Sequence, residues 1–561
     1  MLELREVSVV STRAATESRL LHSITARFAP GQLHAVVGPS GCGKSTLLKA
    51  IAGVHQPDEG GVFWFGRDLD QHDLAPNEIG YVPQFGIAFD LLTVAESIET
   101  ALSLRVGGLS EAERAGRTAH FLSEVGLTET GNRRVGVLSG GQKRRLALAL
   151  EMVSEPHFLL CDEVTSGLDP KSESEIVRLL HHLSKIEQRT VISVTHSLRH
   201  LELHDTVTVL YEGRLVYQAA PTSLGAYFQI DNPELLFPTL GTRPAEEWQE
   251  LWQAQATRYA PRETAPPNDI ARAPAEDRTP DFLAQFFILL RRRWLLFFRN
   301  RGQLALQLAL LFGFPCLVVI FAWGGLPQIQ NLAGSSSNAL QQLIETTAFA
   351  LQSVRVGSLV SGLIMFQVIL LSLMGSNNAA REIAGERTIF EKEKFAGIRP
   401  ASYIASKIAF LSVLIVAQSA WMGFFVNMIC RFPGDLLAQI LILCLTNAAM
   451  TFVCLAISSL SRSAENASLL SVYLVGLQLP LSGAVLALPH VLGLATRPFI
   501  AAYWGWSGYW QTMRDTRFYD FVQGMSATEL VAFELCAWVL LMHIVGGIVV
   551  AYLGSKNSRW E

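Results

Sequence analysis

Charge is what this 561-residue chain has least of: 45 Lys and Arg and 49 Asp and Glu make up 17% of it, against the ~25% usual in soluble domains. Hydrophobic residues are half of the chain and mean hydropathy is +0.29, which argues against intrinsic disorder, a collagen-like fibre and an ordinary cytosolic enzyme. A net charge of -4 supplies no basic field, so nucleic acid is not an expected partner. The seven cysteines form no secreted disulfide framework. An apolar h-region is missing after Met1-Leu2-Glu3-Leu4-Arg5-Glu6, so no signal peptide is expected and the N-terminus should stay in the cytosol.

Charge is also unevenly spread. Up to about Leu235 it mixes with short strand-like and helical patterns, whereas after Gln303 long charge-free blocks alternate with polar loops. The expected order is a soluble domain over 1–235, a loosely packed Pro- and Ala-rich linker over 236–280, an amphipathic helix over 281–302 and a membrane domain over 303–561. A span needs about 20 apolar residues, and about six blocks qualify: Leu304 to Trp323, Val356 to Met374, Ile404 to Cys430, Leu436 to Leu460, Ala467 to Leu488 and Leu530 to Leu553. Cys316, Cys444, Cys454 and Cys536 fall inside these blocks as small hydrophobes. Arg291 to Arg293, Arg299 and Arg301, then Arg381, Arg387, Lys392, Lys394 and Arg399, then Arg462, then Lys556 and Arg559 alternate with spans so that all belong inside. The Gly325 to Ser353 and Pro489 to Thr528 segments then face out.

Gly38-Pro39-Ser40-Gly41-Cys42-Gly43-Lys44-Ser45 follows the apolar run Leu33 to Val37 and opens a helix at Thr46. Glycines let backbone N–H groups curl around phosphate oxygens at a helix N-terminus; Lys44 reaches the outer phosphates and the Ser45 hydroxyl can ligate Mg²⁺. Phe158-Leu159-Leu160-Cys161-Asp162-Glu163 reads as a buried parallel strand ending in two carboxylates. Asp162 would hold Mg²⁺, directly or through water, and Glu163 would polarise a water for in-line attack on the γ-phosphate.

At this point the sequence resembles the ABC transporter superfamily over nearly its whole length. Leu138-Ser139-Gly140-Gly141-Gln142 matches the ABC signature, Gln84 after Tyr81-Val82-Pro83 falls at the Q-loop, Ser166-Gly167-Leu168-Asp169 is similar to the D-loop, and His196 to the switch histidine. The resemblance implies an α/β phosphate-loop ATPase fold followed by an all-α polytopic membrane domain, with ATP and Mg²⁺ as cofactors. It implies nucleotide contacts from Gly38 to Thr46, and from Ser139, Gly140, Gly141, Gln142 and Asp169, the signature acting on the opposite subunit's phosphate. Gln84 would attend both metal and water, and Glu163 and His196 would serve hydrolysis. In one respect the chain departs from the family: no Phe, Tyr or Trp precedes Phe28, so Val9 or Val10 offers the adenine only apolar contact.

An ATPase placed before about six spans is similar to the order of ABCG-type half-transporters of the ABC-2 exporter class, and Glu386-Arg387-Thr388-Ile389-Phe390-Glu391-Lys392-Glu393 and Leu481-Ser482-Gly483 resemble that family's cytosolic loop and gate. The implied function is ATP-driven export of a small hydrophobic or lipid-like substrate by a homodimer, or a heterodimer with a related half-transporter, in a bacterial inner membrane with both termini cytoplasmic. The rival is an ATP-driven regulatory or mechanical machine working on a partner without translocation. Phe366, Gln367, Met374, Phe424, Phe425 and Asn427 are expected to line the path. Glu386 and Glu393 are expected to face basic residues of the ATPase, Lys407 to snorkel to the cytosolic surface, and His543 to be a neutral packing histidine with a hydrogen-bonded partner.

Overall fold

The structure, a computed structural model, describes residues 1–11, 18–69, 78–84, 88–186, 188–259, 279–327, 329, 346–484, 488–516, 519, 523 and 528–558. The Ala260-Pro261-Arg262 and Ala265-Pro266-Pro267 stretches of the expected linker, most of the Gly325 to Ser353 segment and Arg559 lie outside them. The described chain forms two units: Met1–Ala284 with Glu391–Ile398, and Gln285–Phe390 with Arg399–Ser558.

Strands of the first unit are β1 (Leu2–Ser11), β2 (Ser18–Phe28), β3 (Leu33–Val37), β4 (Glu59–Trp64), β5 (Arg67–Asp68), β6 (Ile79–Val82), β7 (Phe158–Asp162), β8 (Thr190–Val194), β9 (Thr206–Tyr211) and β10 (Arg214–Ala219). They build an antiparallel sheet of order β2-β1-β4-β5 and a six-stranded sheet of order β10-β9-β3-β8-β7-β6, parallel except for β10. Every residue of β3, β7 and β8 is buried, as expected for strands covered on both faces. Successive side chains enter opposite cores. Leu159, Cys161 and Val191 pack with Ile98, Phe121, Leu146 and Leu180 of the flanking helices, while Phe158, Leu160, Ile192 and Val194 pack with Leu4, Val9, Ile24 and Trp64 of the antiparallel sheet.

Part of the expected linker is instead folded into this unit. Helices Leu236–Leu240 and Ala245–Tyr259 bury Leu236, Leu240, Trp248 and Trp252 in the second of those cores. There Trp252 meets the rings of Tyr217 and Tyr227 at 5.3 and 5.7 Å. The indole N–H of Trp248 donates to Leu240 O at 3.0 Å, so the ring is buried without stranding its donor. Apolar burial at i and i+4 outweighs the polar composition that suggested a linker.

Five helices among the described residues are long and apolar enough to cross a membrane: Arg301–Gly325, Val356–Phe395, Pro400–Cys430, Leu436–Leu460 and Phe533–Asn557, all in the second unit but for the last residues of Val356–Phe395, from Glu391 on. The block expected at Ala467 to Leu488 is an 18-residue helix, Ala464–Leu481, shorter than the usual span of about 20 and opening on Glu465 and Asn466. The amphipathic helix runs Phe282–Arg299. It stops because the side chain of Asn300 accepts from Gln303 N at 3.1 Å and caps the next helix. The expected outer loop Pro489 to Thr528 contains Ala501–Gln511, whose first ten residues, including Tyr503, Trp504, Trp506, Tyr509 and Trp510, are all buried.

These helices are polar inside and apolar outside. Leu306, Phe312 and Ile320 are exposed, as are Trp538, Met542, Val545 and Val549, while Gln307, Asn378 and Gln418 are buried and close a ring of hydrogen bonds of 2.7 to 3.0 Å. Asn447 reaches Gln418 and Ser419 from a fourth helix. In lipid such polar side chains hold helices together because hydrocarbon offers them no partner. Helix Leu436–Leu460 packs closely on Phe533–Asn557: a Cβ at Gly547 would come within 2.6 Å of the Phe452 backbone, and one at Gly554 within 2.5 Å of Ser459 Oγ. His543 Nδ1 donates to Val539 O at 2.8 Å, as expected of a packing histidine.

Lys407 does not snorkel. It is buried and contacts Glu382 at 3.0 Å and Glu386 at 2.6 Å. Arg293 takes both oxygens of Glu382, with Nη2 to Oε2 at 2.7 Å, and lies 4.1 Å over the Phe410 ring. Glu386 is thereby committed to Lys407 rather than to the ATPase, because two buried cations beside Glu382 need a second anion. Gln367 and Met374 are buried too, which removes them from the expected lining. Glu386→Lys should therefore act through folding: it sets a cation against Lys407 and should cost about 3–5 kcal/mol, read as a lower melting temperature and a poorer yield of monodisperse protein. Lys407→Met in the same chain should restore part of the loss.

Candidate functional site

Parallel register puts the ends of β3, β8, β7 and β6 on one edge. Val36 and Asp162 both pair with Val194, and Val82 pairs with Cys161, so the residues that follow, Gly38 onward, Thr195-His196, Glu163 and Pro83-Gln84, emerge side by side. Ligands of open α/β sheets bind at this carboxyl edge.

The turn after β3 has φ of +81° at Gly41 and +98° at Gly43, a region that favours glycine. A Cβ at Gly43 would also stand 2.7 Å from Leu21 Cδ2. Gly43 is the N-cap of helix Lys44–Ile51 and contributes no side-chain cap, which leaves that terminus to an anion. The Lys44 ammonium is buried and donates to Gly38 O and Pro39 O at 2.9 and 2.8 Å, folding the loop around the cation. Cys42 is buried beside it, and burial pushes its thiol up. Ser45 Oγ donates to Asp162 Oδ1 at 2.9 Å. A hydroxyl and a carboxylate meeting at a phosphate loop are hard oxygen donors, the set that suits Mg²⁺.

Glu163 sits between two partners. Gln84 Nε2 donates to its Oε2 at 2.7 Å and His196 Nε2 touches its Oε1. The structure thus groups Gln84 with Glu163 and His196, and Ser45 with Asp162. Glu163 holds φ of +51°, an unusual backbone for a non-glycine and one kept at functional turns.

Ser139, Gly140, Gly141 and Gln142 stand apart from this cluster. Ser139 caps helix Gly140–Met152 in a reciprocal box with Gln142, 3.0 and 3.3 Å, and Ser139 and Gly140 are exposed. Gly141 lies against Ser172, its hypothetical Cβ 3.3 Å from Ser172 Oγ. Ser172 in turn donates to Asp169 Oδ2 at 2.6 Å, so signature and D-loop form one exposed surface. Val9 is fully buried and unavailable to a base; Val10, whose N–H donates to Asp58 Oδ2 at 2.6 Å, is the remaining apolar contact of the two expected.

Two residues escaped the sequence reading. Tyr81 OH donates to Asp162 Oδ2 at 3.0 Å; the alternation of β6 could have placed it on that face, but nothing local marks a tyrosine as a carboxylate's partner. Arg144, half-buried on the signature helix, feels the Glu163 charge, though burial still draws its pKa down. Burial raises the Asp162 carboxyl, and the Ser45 and Tyr81 hydrogen bonds pull it partly back.

Residues 21–166 match the family described as ABC transporter and residues 284–504 the family described as ABC-2 type transporter. The chain joins an ABC transporter ATPase domain to an ABC-2 type membrane domain. Among its relatives, the "ABC transporter ATP-binding/permease protein Rv1747" of Mycobacterium tuberculosis is 28% identical over 88% of this chain and 55% of that protein. The "Methionine import ATP-binding protein MetN" of Latilactobacillus sakei is 34% identical over 40% of this chain and 66% of its own length. The "Sulfate/thiosulfate import ATP-binding protein CysA" of Gloeobacter violaceus is 38% identical over 37% and 59%. This ABC chain therefore spans between about half and two thirds of these relatives' lengths.

Tyr81→Phe tests the electrostatics of the ABC site. It removes a donor that favours the ionised Asp162, so the carboxyl pKa should rise further and the acid limb of any ATPase profile should move to higher pH. A carboxyl raised above its unfolded value costs stability once ionised, so the variant should lose about 1–3 kcal/mol near neutrality and much less in acid, as melting curves across pH will show.

Proposed function

We propose that this chain is one half of a dimeric, ATP-driven exporter whose substrate is hydrophobic or amphipathic. The observation that carries the reading is the pairing of two hydrolytic elements on one sheet edge, Ser45–Asp162 and Gln84–Glu163–His196, in a chain that continues into apolar helices, five of them long enough to span a membrane among the described residues.

In this reading Lys44 leaves the loop carbonyls for the outer phosphates of ATP, and the loop N–H groups take the remaining oxygens. Mg²⁺ held by Ser45 and Asp162, with Gln84 within the same edge, would neutralise phosphate charge. Glu163 accepts a hydrogen bond from the attacking water and orients it, while His196 and Gln84 fix the carboxylate. One loop and one exposed signature per chain leave each site incomplete, so Ser139 of the partner subunit is required to close it; a homodimer is the simplest solution.

In this reading the ATPase and the described ends of the chain are in the cytoplasm, beneath a bacterial inner membrane; the run of basic residues near helix ends, Arg381, Arg387, Arg399, Arg462 and Lys556, supports it, since such residues favour the inner side. Substrate class rests on apolar surface left open by the spans, with Phe424 exposed and Phe366 and Phe425 half-buried. Coupling rests on Glu391–Ile398, which packs within the ATPase unit: Lys392 is buried against Glu151 at 2.8 Å, and Arg105 holds the same carboxylate. Burial alone would raise Glu151, but Arg105 and then Lys392 outweigh it and hold the carboxyl at about 2, so this joint stays charged at any physiological pH.

Inside-out vesicles carrying the full chain should accumulate an amphipathic probe only with MgATP. Glu163→Gln should still bind ATP, because Lys44, Ser45 and Asp162 remain, but should lose most turnover, at least the ~100-fold expected of a positioned general base, and lose transport with it. Wild-type turnover in Glu163→Gln would remove Glu163 from this role; ATP turnover without transport of any probe would favour the machine that works on a partner.

A further inference from the structure

Strand β2 is irregular beside the phosphate loop. Val9 pairs with Leu21 and Val10 with Arg19, so two consecutive residues of β1 face three of β2, and Leu20 is the extra residue of a β-bulge. Bulges re-aim a side chain and gather next to active sites. Leu21 is fully buried in the core of the antiparallel sheet, whereas Leu20 is 38% exposed. In the described part of residues 1–259 the other large hydrophobics so exposed are Phe65, Val137 and Leu235.

The bulge packs on the loop itself. A Cβ at Gly43, the glycine before Lys44, would stand 2.9 Å from Leu20 O, and one at Gly213 would stand 2.5 Å from the same atom. Gly213 N donates to Cys42 O at 3.1 Å, and Gly213 O accepts from His22 N at 2.8 Å. Both glycines hold positive φ, +98° and +75°, so strand, turn and phosphate loop meet backbone to backbone. Leu20 is thereby fixed at the rim of the helix N-terminus that is left to an anion.

An aliphatic side chain at this rim suits one part of a nucleotide. A base carries its hydrogen-bonding pattern on its edge, where the adenine amino group donates and the guanine carbonyl accepts, but every base offers a flat π-face. The donors that flank Leu20 in register are engaged elsewhere: Val10 N–H with Asp58 Oδ2 at 2.6 Å and Arg19 with Glu59 at 3.3 Å. No Phe, Tyr or Trp precedes Phe28.

We propose that Leu20, with half-buried Val10 beside it, is the shelf on which the nucleobase rests, and that the chain therefore binds guanine nucleotides about as readily as adenine ones. This rests on the reading that the loop from Gly38 to Thr46 takes the phosphates; it needs neither transport nor a dimer.

Isothermal titration of the full chain in detergent with Mg²⁺ tests it with three probes: the β,γ-imido analogues of ATP and of GTP, and inorganic tripolyphosphate, which has phosphates and no base. Wild type should bind the two nucleotides within about fivefold of each other, the least that one edge-reading pair would impose. Leu20→Asn should weaken both alike by about tenfold, as expected from losing part of one leucine's apolar contact, and should leave tripolyphosphate unchanged. Leu20→Trp, which adds a stacking face, should tighten both nucleotides and again spare tripolyphosphate. Leu21 belongs to the core and Leu20 does not, so both variants should fold, and unchanged tripolyphosphate binding reports an intact loop. A larger wild-type preference for the adenine analogue, wild-type nucleotide affinity in Leu20→Asn, or an equal loss of tripolyphosphate in that variant would each overturn the proposal. Tripolyphosphate binding that Lys44→Ala leaves unchanged would overturn the phosphate-loop reading and the proposal with it, so the two failures are told apart.

Discussion

The register of four parallel strands is the constraint on which the ATPase site depends. Strand residues alternate between two cores, so a one-residue slip of β7 would move Cys161 and Leu159 into the antiparallel-sheet side and rotate Asp162 away from Ser45. Because β3, β7 and β8 are buried throughout, such a slip would mismatch packing on both faces at once. The chemistry is therefore specified by hydrophobic packing several residues before it: Glu163 is where it is because Phe158 and Leu160 face Trp64 and its neighbours while Leu159 and Cys161 face the helices.

The membrane unit obeys the inverse rule. Its exteriors are apolar, and the groups that would be costly in lipid are turned inward and matched: Gln307, Asn378 and Gln418 with each other, Arg293 and Lys407 with Glu382 and Glu386. Replacing either network with apolar residues of equal volume would not cost stability by necessity. What such networks can add is a unique arrangement of helices, because each donor has only a few acceptors within reach. The exporter proposed above would need elements that move as rigid bodies, and tightly matched helices would meet that need.

Much of this was legible in the sequence, and for a physical reason. Phosphate loops, strand-end carboxylates and signature residues are local patterns, so the loop from Gly38 to Thr46 and the strand end at Asp162 and Glu163 could be located directly in the sequence; the roles proposed for them rest on the geometry described above. Apolar blocks are equally local, and five of the six expected spans coincide with long helices. What escaped is long-range. Tyr81 finds Asp162 across 81 positions, Glu386 finds Lys407 across 21, and neither partner carries a mark that names the other. Trp248 and Trp252 sat in a polar, charged stretch, and the linker reading failed because two helical turns of spaced aromatics can bury more surface than the surrounding charge suggests. The buried aromatic run at Tyr503 to Trp510 could not be seen for the same reason: hydropathy averages report content, not which face is covered.

The central claim is that ATP is bound between two copies of the chain, each completing the other. Mixed dimers of Lys44→Ala and Ser139→Arg chains, separated from homodimers by two affinity tags, measure this directly. If the sites are shared, both lesions fall into one of the two, the twin site is whole, and the mixed dimer should hydrolyse ATP well above either mutant homodimer, towards half the wild-type rate. ATPase in the mixed dimer as low as in the two homodimers would contradict a site shared between chains with independent turnover.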